Sequence, residues 1–129
     1  MNEEAAITTV RDVYASFARG DLEYVREALL ADEVVFHVPG RGTLAGDYHG
    51  KDEVINYLAK VAEAGTVRME PTAFLVGDGH IAAVIDVEGE RDDRRLYERG
   101  MQLFRLTDGK IGERWSYPPE SYAADEYFA

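Results

Sequence analysis

The sequence predicts an α+β fold, in which three N-terminal helices pack against one face of a curved antiparallel sheet. The first half of the chain carries apolar residues at helical spacing, whereas residues 66–117 form runs rich in β-branched and aromatic side chains. Short turn sequences separate those runs, which indicates an antiparallel meander. A sheet that curls around a layer of helices encloses a cone, and the mouth of such a cone is a common place for a small-molecule site.

Three helices are expected from apolar stripes. In the first helix Ile7, Val10 and Tyr14 recur three or four positions apart, as on one face of a helix. The second helix is shorter, and the third ends at Gly65, a residue suited to the position after a helix. The predicted bounds are residues 2–19, 21–29 and 52–64. A last helical turn is expected near the C-terminus, with Ser121 as its cap.

Five strands are expected. The first covers residues 34–38 and leads into an irregular, glycine-rich loop that continues to Gly50. The other four strands make up the meander, with predicted bounds of residues 66–76, 81–88, 94–106 and 110–117. The sequence shows no internal repeat, low-complexity tract or linker, so residues 1–129 are interpreted as one domain.

Composition and charge exclude several classes of function. The chain has 129 residues, contains no cysteine and carries a net charge of −11. The lack of cysteine excludes disulfide and thiolate chemistry, and the negative charge argues against nucleic-acid and anionic-membrane partners. The acidic N-terminus lacks the apolar segment of a secretory signal, and no apolar run is long enough to span a bilayer. A cytoplasmic protein is therefore expected.

Four segments carry a family resemblance: residues 18–22 (ARGDL), 30–36 (LADEVVF), 37–52 and 110–115 (KIGERW). In these segments and in the order of its elements, the chain resembles the SnoaL-like proteins of the ketosteroid isomerase and nuclear transport factor two superfamily. The resemblance implies the α+β cone-shaped barrel and a homodimer. It does not imply one reaction, because the superfamily includes isomerases, cyclases, dehydratases, epoxide hydrolases and members without known catalysis.

The resemblance also suggests where catalytic residues would lie. In the steroid isomerases an aspartate at the end of the first strand moves the proton, and an ungapped count puts His37 at that position. The same count puts Val13, with Tyr14 beside it, at the position of an oxyanion-hole tyrosine. Gln102 falls near the position of the second oxyanion donor, a protonated aspartate. A base-like residue is thus kept while both acidic donors are lost, which argues against a steroid isomerase of the known kind.

His37 is the candidate proton-transfer residue, because imidazole gives and takes a proton near neutral pH. By strand alternation it shares a face with Val35, opposite Phe36. A structural role, in which the ring bonds a loop carbonyl or a neighbouring side chain, is the alternative. Gln102 shares a face with Phe104 and is the second polar candidate. Its amide either bonds His37 or a ligand, or faces solvent.

Further candidates for contact with an apolar ligand are aromatic residues and one loop cation. They are Tyr14, Phe36, Arg41, Tyr48, Tyr57, Phe104, Trp115 and Tyr117. The alternative is that the aromatic rings fill the core and a dimer face, and that Arg41 is a solvated loop charge. Asp86 and Arg99, on successive strands, invite comparison with the Asp-Arg-Asp cluster of related epoxide hydrolases, but a third carboxylate in register is not evident.

The sequence thus predicts binding of a small, largely apolar organic molecule. If the protein is an enzyme, cofactor-free isomerisation, cyclisation or dehydration is expected, in a cavity of a few hundred cubic ångströms with His37 inside. The alternative is a non-catalytic binding or dimerisation module. No metal or cofactor is expected, because the histidines are scattered and no nucleotide motif is present. A homodimer is expected to form through the exposed face of the meander, which carries Tyr97, Met101 and Leu103.

Overall fold

The structure is a computed structural model that describes residues 2–120 and 122–129. Helices occupy both ends of the chain and the connection before the meander, and six strands lie between them. In chain order the elements are α1 (Glu3–Ala18), α2 (Leu22–Tyr24), a π-helical segment (Val25–Leu29), β1 (Leu30–Val38), β2 (Gly46–His49), α3 (Gly50–Glu63), β3 (Thr66–Gly77), β4 (His80–Arg91), β5 (Arg94–Thr107), β6 (Lys110–Tyr117) and α4 (Ala123–Phe128). The predicted cap Ser121 lies outside the described residues.

The helices begin and end close to the predicted positions. The side chain of Asn2 accepts a hydrogen bond from the backbone N–H of Ala5 at 3.1 Å, which caps α1. Asp21 caps α2 in the same way, through the N–H of Tyr24. The helix predicted over residues 21–29 is instead three residues of α2 followed by the π-helical segment. The N-terminal layer is therefore one long helix, a short irregular helical stretch and α3.

The six strands form one curved, mixed sheet in the order β2-β1-β6-β5-β4-β3. The predicted meander is confirmed for β3 to β6, because the pairs β3–β4, β4–β5 and β5–β6 are all antiparallel. The prediction of a wholly antiparallel sheet is wrong, because β6 returns beside β1 and runs parallel to it. The segment predicted as an irregular loop contains β2, a short edge strand whose residue His49 pairs with Val35. The fold is thus α+β with a mixed sheet.

Alternation along the strands decides what faces the helices. On β5, Leu96, Gln102 and Phe104 are buried on the inner face, whereas Tyr97 and Arg99 are exposed on the outer face. Helices α1 and α3 pack on the inner face, and the core lies between them and the sheet. Within residues 2–120 and 122–129, no helix combines the length and the apolar character needed to cross a membrane.

Candidate functional site

An apolar cavity lies between the inner face of the sheet, α3 and α4. Its walls include Tyr57 and Val61 of α3, Met69 and Ile85 of the sheet and Phe128 of α4. The cavity holds about 80 Å³, so the expectation of a few hundred cubic ångströms is wrong. Pockets for drug-sized ligands measure roughly 300–1,000 Å³. The cavity therefore fits a small molecule, and a larger ligand requires one wall to move.

Glu98 is the titratable carboxylate that the described residues bring into this cavity. It lies on the inner face of β5, and its Oε2 atom is buried without a hydrogen-bond partner in the structure. Burial raises the pKa of Glu98 above its ordinary value, and the nearby charge of Glu120 acts in the same direction. A carboxyl group whose pKa is raised exchanges its proton closer to neutral pH, as a general acid or base requires.

Gln102 lies in the same cavity and is held by two side chains. The Tyr14 hydroxyl donates to Gln102 Oε1 at 2.6 Å, and Gln102 Nε2 donates to Ser116 Oγ at a long 3.4 Å. Burial raises the pKa of Tyr14 well above its usual range, against the lowering effect of the Arg114 charge, so the phenol remains a donor. Because Tyr14 occupies the amide oxygen, the amide N–H groups of Gln102 are directed toward Ser116 and the cavity.

Gly100 separates the carboxylate from the amide. Glu98, Gly100 and Gln102 are successive inner-face residues of β5. The Cα atoms of Glu98 and Gln102 are about 13 Å apart along an extended strand. A Cβ atom at Gly100 would lie 3.2 Å from the carbonyl oxygen of Tyr117 and 3.3 Å from Pro118 Cα. The absence of a side chain thus permits the close approach of the chain after β6.

His37 does not reach the cavity. Its ring lies on the outer face of β1, with Nδ1 2.8 Å from Asp47 Oδ1 and Nε2 2.5 Å from Glu113 Oε2. The ring also stacks on Trp115, with centroids 5.5 Å apart. The inner face of β1 is instead the one that carries the buried Phe36. The prediction that His37 forms the cavity floor is therefore wrong, because strand alternation turns it away from the helices.

The carboxylates of Asp47 and Glu113 give the His37 ring a structural role. Hydrogen bonding to Glu113, supported by Asp47, raises the pKa of His37 despite partial burial of the ring. Both ring nitrogens then donate when the imidazole is protonated, so the charged ring bridges β1, β2 and β6. This arrangement corresponds to the alternative in which His37 bonds neighbouring side chains. No bond joins His37 to Gln102, which lies on the opposite face of the sheet.

The structure divides the remaining predicted residues into three groups. Tyr57 lines the cavity with Gln102, and Tyr14 acts on it through Gln102. Three rings lie behind this lining: the core residues Phe36 and Phe104, and Tyr48, whose ring is 4.7 Å from that of Tyr57. The last group lies away from the cavity: Trp115 and Tyr117 on the outer face, and Arg41, whose guanidinium lies 4.0 Å from the Tyr122 ring centroid.

Glu98 is the residue that sequence reasoning missed. The signal was present, because alternation along β5 puts residues 98, 100, 102 and 104 on one face. Gln102 and Phe104 had been assigned to that face, and extension of the alternation by two more positions reaches Glu98. Asp86 and Arg99 do pair, at 2.8 Å, but on the outer face of the sheet. They cannot supply an epoxide-hydrolase cluster in the cavity.

Helix α4 closes one side of the cavity through Ala124 and Phe128. Its Asp125 carboxylate accepts hydrogen bonds from the backbone N–H groups of Arg41 and Gly42, at 3.0 and 2.9 Å. A Cβ atom at Gly42 would lie 2.7 Å from Asp125 Oδ1, so this loop approaches α4 closely. A six-residue helix, whose one fully buried side chain is the Tyr127 ring, is the wall that can move most easily for a larger ligand.

No group of three or more His, Asp or Glu side chains within residues 2–120 and 122–129 is arranged to hold a metal ion. The described side chains that line the cavity offer proton transfer and hydrogen bonding. Glu98 supplies a carboxylate, and Gln102 and Ser116 supply neutral donors.

Comparisons with known proteins agree with this architecture. Residues 10–114 match the SnoaL-like domain. The chain is 30% identical to the "Uncharacterized protein Rv0034" of Mycobacterium tuberculosis, with 100% of both chains covered. It is also similar to the structure of Bal32a from a soil-derived mobile gene cassette, with 26% identity, a TM-score of 0.90 and 98% of each chain covered.

A more distant structure contains a ligand. RV0760c from Mycobacterium tuberculosis was crystallised in complex with estradiol-17beta-hemisuccinate. It shares 20% identity and a TM-score of 0.76 with this chain, over 88% of this chain and 92% of the other. At that identity the likeness supports the fold.

Proposed function

Because the chain belongs to the SnoaL-like domain family, we propose that it binds a small, largely apolar organic molecule in the cavity beneath α4 and transfers a proton on it without a cofactor. One observation carries the proposal: the Glu98 carboxylate lies among apolar side chains with Oε2 unpartnered, in the same cavity as the Gln102 amide. A distant relative that binds an estradiol derivative supports a small-molecule ligand for this kind of fold.

The two ends of the cavity fit the two parts of such a reaction. Glu98 removes a proton from a carbon next to a carbonyl group, and the electron pair of the C–H bond moves toward the carbonyl oxygen. Gln102 Nε2 and Ser116 Oγ donate hydrogen bonds to that oxygen as it gains negative charge. Return of the proton from Glu98 to another atom of the substrate completes an isomerisation. Cyclisation or dehydration would begin with the same step.

Non-catalytic binding is the second candidate function. The observation that favours it is the size of the cavity, about 80 Å³, which limits the substrate in the closed structure. In this alternative Glu98 and Gln102 recognise the polar groups of a ligand and no bond is broken.

Binding in the cavity is tested by titrating the protein with small enolisable ketones and following side-chain methyl resonances by NMR. We expect the resonances of Val61, Met69 and Ile85 to shift, because these residues form the cavity wall. The resonance of Val84 serves as the control, because it lies on the outer face of β4. Shifts of Val84 alone, or no shift with any ketone, would remove the support for a binding cavity.

We also propose that the protein self-associates through the outer face of β5. Tyr97 is 70% exposed there, with Met101 exposed and Leu103 half-buried beside it. Burial of such a patch against a second copy would remove apolar surface from water. Tyr97→Glu is expected to shift the protein toward monomer in sedimentation velocity, since it places a carboxylate in the contact. Tyr24→Glu, at an exposed helical tyrosine, is the control and should leave the distribution unchanged.

A further inference from the structure

Arg114 is a buried cation without a carboxylate partner. It lies on the inner side of β6 and is 4% exposed. Its Nε and Nη2 atoms are buried with no hydrogen-bond partner in the structure. Among residues 2–120 and 122–129, no Asp or Glu forms an ion pair with it. Burial of an unpaired charge is unfavourable, so an arginine in this position calls for an explanation.

Aromatic rings provide part of that explanation. The Arg114 guanidinium carbon lies 4.2 Å from the centre of the Phe36 ring and 5.7 Å from that of Tyr57. Such contacts attract a cation through the negative faces of the rings. They offset only part of the cost of burial, and they leave the N–H groups of Nε and Nη2 without acceptors. The uncompensated positive charge is the property that an anionic ligand nearby would neutralise.

The position of Arg114 connects it to one end of the cavity. In the pairing of β5 with β6, Gln102 lies opposite Ser116 and Phe104 lies opposite Arg114. Arg114 is therefore two residues from Ser116 on the same side of β6, about 7 Å along the strand. Tyr57 connects Arg114 with the cavity, because its ring contacts the guanidinium and also lines the cavity. Positive charge thus lies behind the end of the cavity that holds Gln102 and Ser116.

The opposite end of the cavity has the opposite charge. Glu98 lies on the far side of Gly100 from Gln102, and its unpartnered oxygen faces an apolar environment. The cavity therefore presents a carboxylate at one end and, at the other end, neutral donors supported by a buried cation. A ligand with one anionic end would be oriented by this field, with its charge directed away from Glu98.

We propose that the ligand is a small organic carboxylate with a flat, apolar body. Its carboxylate accepts hydrogen bonds from Gln102 and Ser116 and is attracted by the charge of Arg114 behind them, and its body lies against Gly100 and Tyr57. This assignment rests on the binding part of the proposed function, in which Glu98 and Gln102 recognise the polar groups of a ligand, since it names the class of molecule that the same cavity takes. The two oxygens of a carboxylate can accept hydrogen bonds from the Gln102 amide and the Ser116 hydroxyl at the same time.

The test compares 4-fluorobenzoate with 4-fluorobenzamide, two probes of equal size that differ in charge, by ¹⁹F NMR titration at pH 8. We expect the wild-type protein to bind the benzoate at least tenfold more tightly than the benzamide. Arg114→Met should abolish this preference and leave benzamide binding unchanged. It should also unfold at the same temperature as the wild type or higher, because an unpaired buried charge has been removed.

Several outcomes would overturn the proposal. Equal binding of the two probes by the wild type, or a benzoate preference that survives in Arg114→Met, would show that Arg114 does not cause a preference for anionic ligands. If Arg114→Met does not fold, the Nε–H resonance of Arg114 in the wild type decides: a shift with benzoate and none with benzamide supports the proposal, and its absence overturns it. Binding of benzamide without a charge preference would leave the proposed function standing. Binding of neither probe would overturn this assignment, and the ketone titration would then decide the proposed function.

Discussion

Glu98→Gln is expected to slow proton–deuterium exchange at the α-carbon of bound ketones by about 100-fold or more, the usual contribution of a positioned general base. Glutamine has nearly the same shape as glutamate, so it preserves the cavity wall, but it cannot accept the proton. Ketone binding should therefore be retained while exchange is lost. The measurement is NMR exchange in deuterated buffer over a panel of enolisable ketones, with wild-type and variant protein at equal occupancy.

The pH dependence gives this prediction a second readout. Because the pKa of Glu98 is raised in the folded protein, exchange by the wild type should increase with pH above the ordinary glutamate value of about 4.5, as the carboxylate forms. The raised pKa of Glu98 also makes the free energy of unfolding depend on pH, and this free energy falls as pH rises. The protonated side chain stabilises the folded state at acid pH, and this contribution is lost as pH rises through the folded pKa. Glu98→Gln should thus be more stable than the wild type at pH 8, and the difference should disappear below pH 4.5.

His37→Gln is the matched control for Glu98→Gln. It removes a titratable side chain that forms hydrogen bonds to Asp47 and Glu113 on the outer face of the sheet. We expect its exchange rate to equal that of the wild type. If His37→Gln lost exchange and Glu98→Gln kept it, the base would be His37 and the assignment of Glu98 would be wrong.

Gly65→Ala is expected to cause the largest loss of stability among single alanine substitutions at the glycines. Gly65 has φ +79°, and a Cβ atom there would overlap the carbonyl oxygen of Glu90 and lie 2.9 Å from Arg91 Cβ. The left-handed backbone alone costs a residue with a side chain roughly 1–3 kcal/mol. The overlap is with backbone, which cannot rotate away, so it adds to that cost. We expect thermal denaturation to show a fall in Tm of more than about 10 °C.

Gly20→Ala separates the two contributions to that loss. Gly20 has a similar φ of +73°, but nothing lies within 4 Å of the position of its Cβ atom. Its substitution should cost only the backbone term, about 1–2 kcal/mol. Equal losses in the two variants would show that the junction of α3 with β3 is less crowded than the structure indicates.

The loss at Gly65 also bears on the cavity. The preceding residue, Ala64, accepts a hydrogen bond from the Tyr127 hydroxyl of α4 at 2.8 Å. Displacement of this junction would therefore disturb the helix that covers the cavity. A destabilised Gly65→Ala variant is expected to bind the ketones more weakly even though residue 65 does not line the cavity.

Much of the fold was predictable because its signals are local. The apolar stripe of α1 and the turn sequences of the meander depend on neighbouring residues, and the family resemblance is confirmed by the match over residues 10–114. Strand β2 was not predictable in this way. It is short, and none of its residues is buried, so it lacks the alternation of apolar and polar residues that marks a strand. Its pairing with β1 stabilises it.

The site was less predictable than the fold. The identity of Gln102 and Tyr57 as cavity residues followed from the alternation of β5 and from the aromatic content of the chain, and both line the cavity. His37 was wrongly assigned to the cavity because it was chosen for the chemistry of its imidazole and not for the environment of its position on β1. Glu98 was overlooked for the converse reason, since a glutamate on a strand near a charged turn is ordinarily solvated.

By itself the amino-acid sequence determined the type and order of most elements, the family, and which residues of each strand share a face. Only the tertiary structure decided which of the two faces of β1 meets the helices, because that choice depends on pairing with β6, some 80 residues later in the chain. The same long-range packing excludes water from Glu98 Oε2 and from Nε and Nη2 of Arg114. Their unusual electrostatics therefore arise from neighbours that are distant in sequence, which no local pattern records.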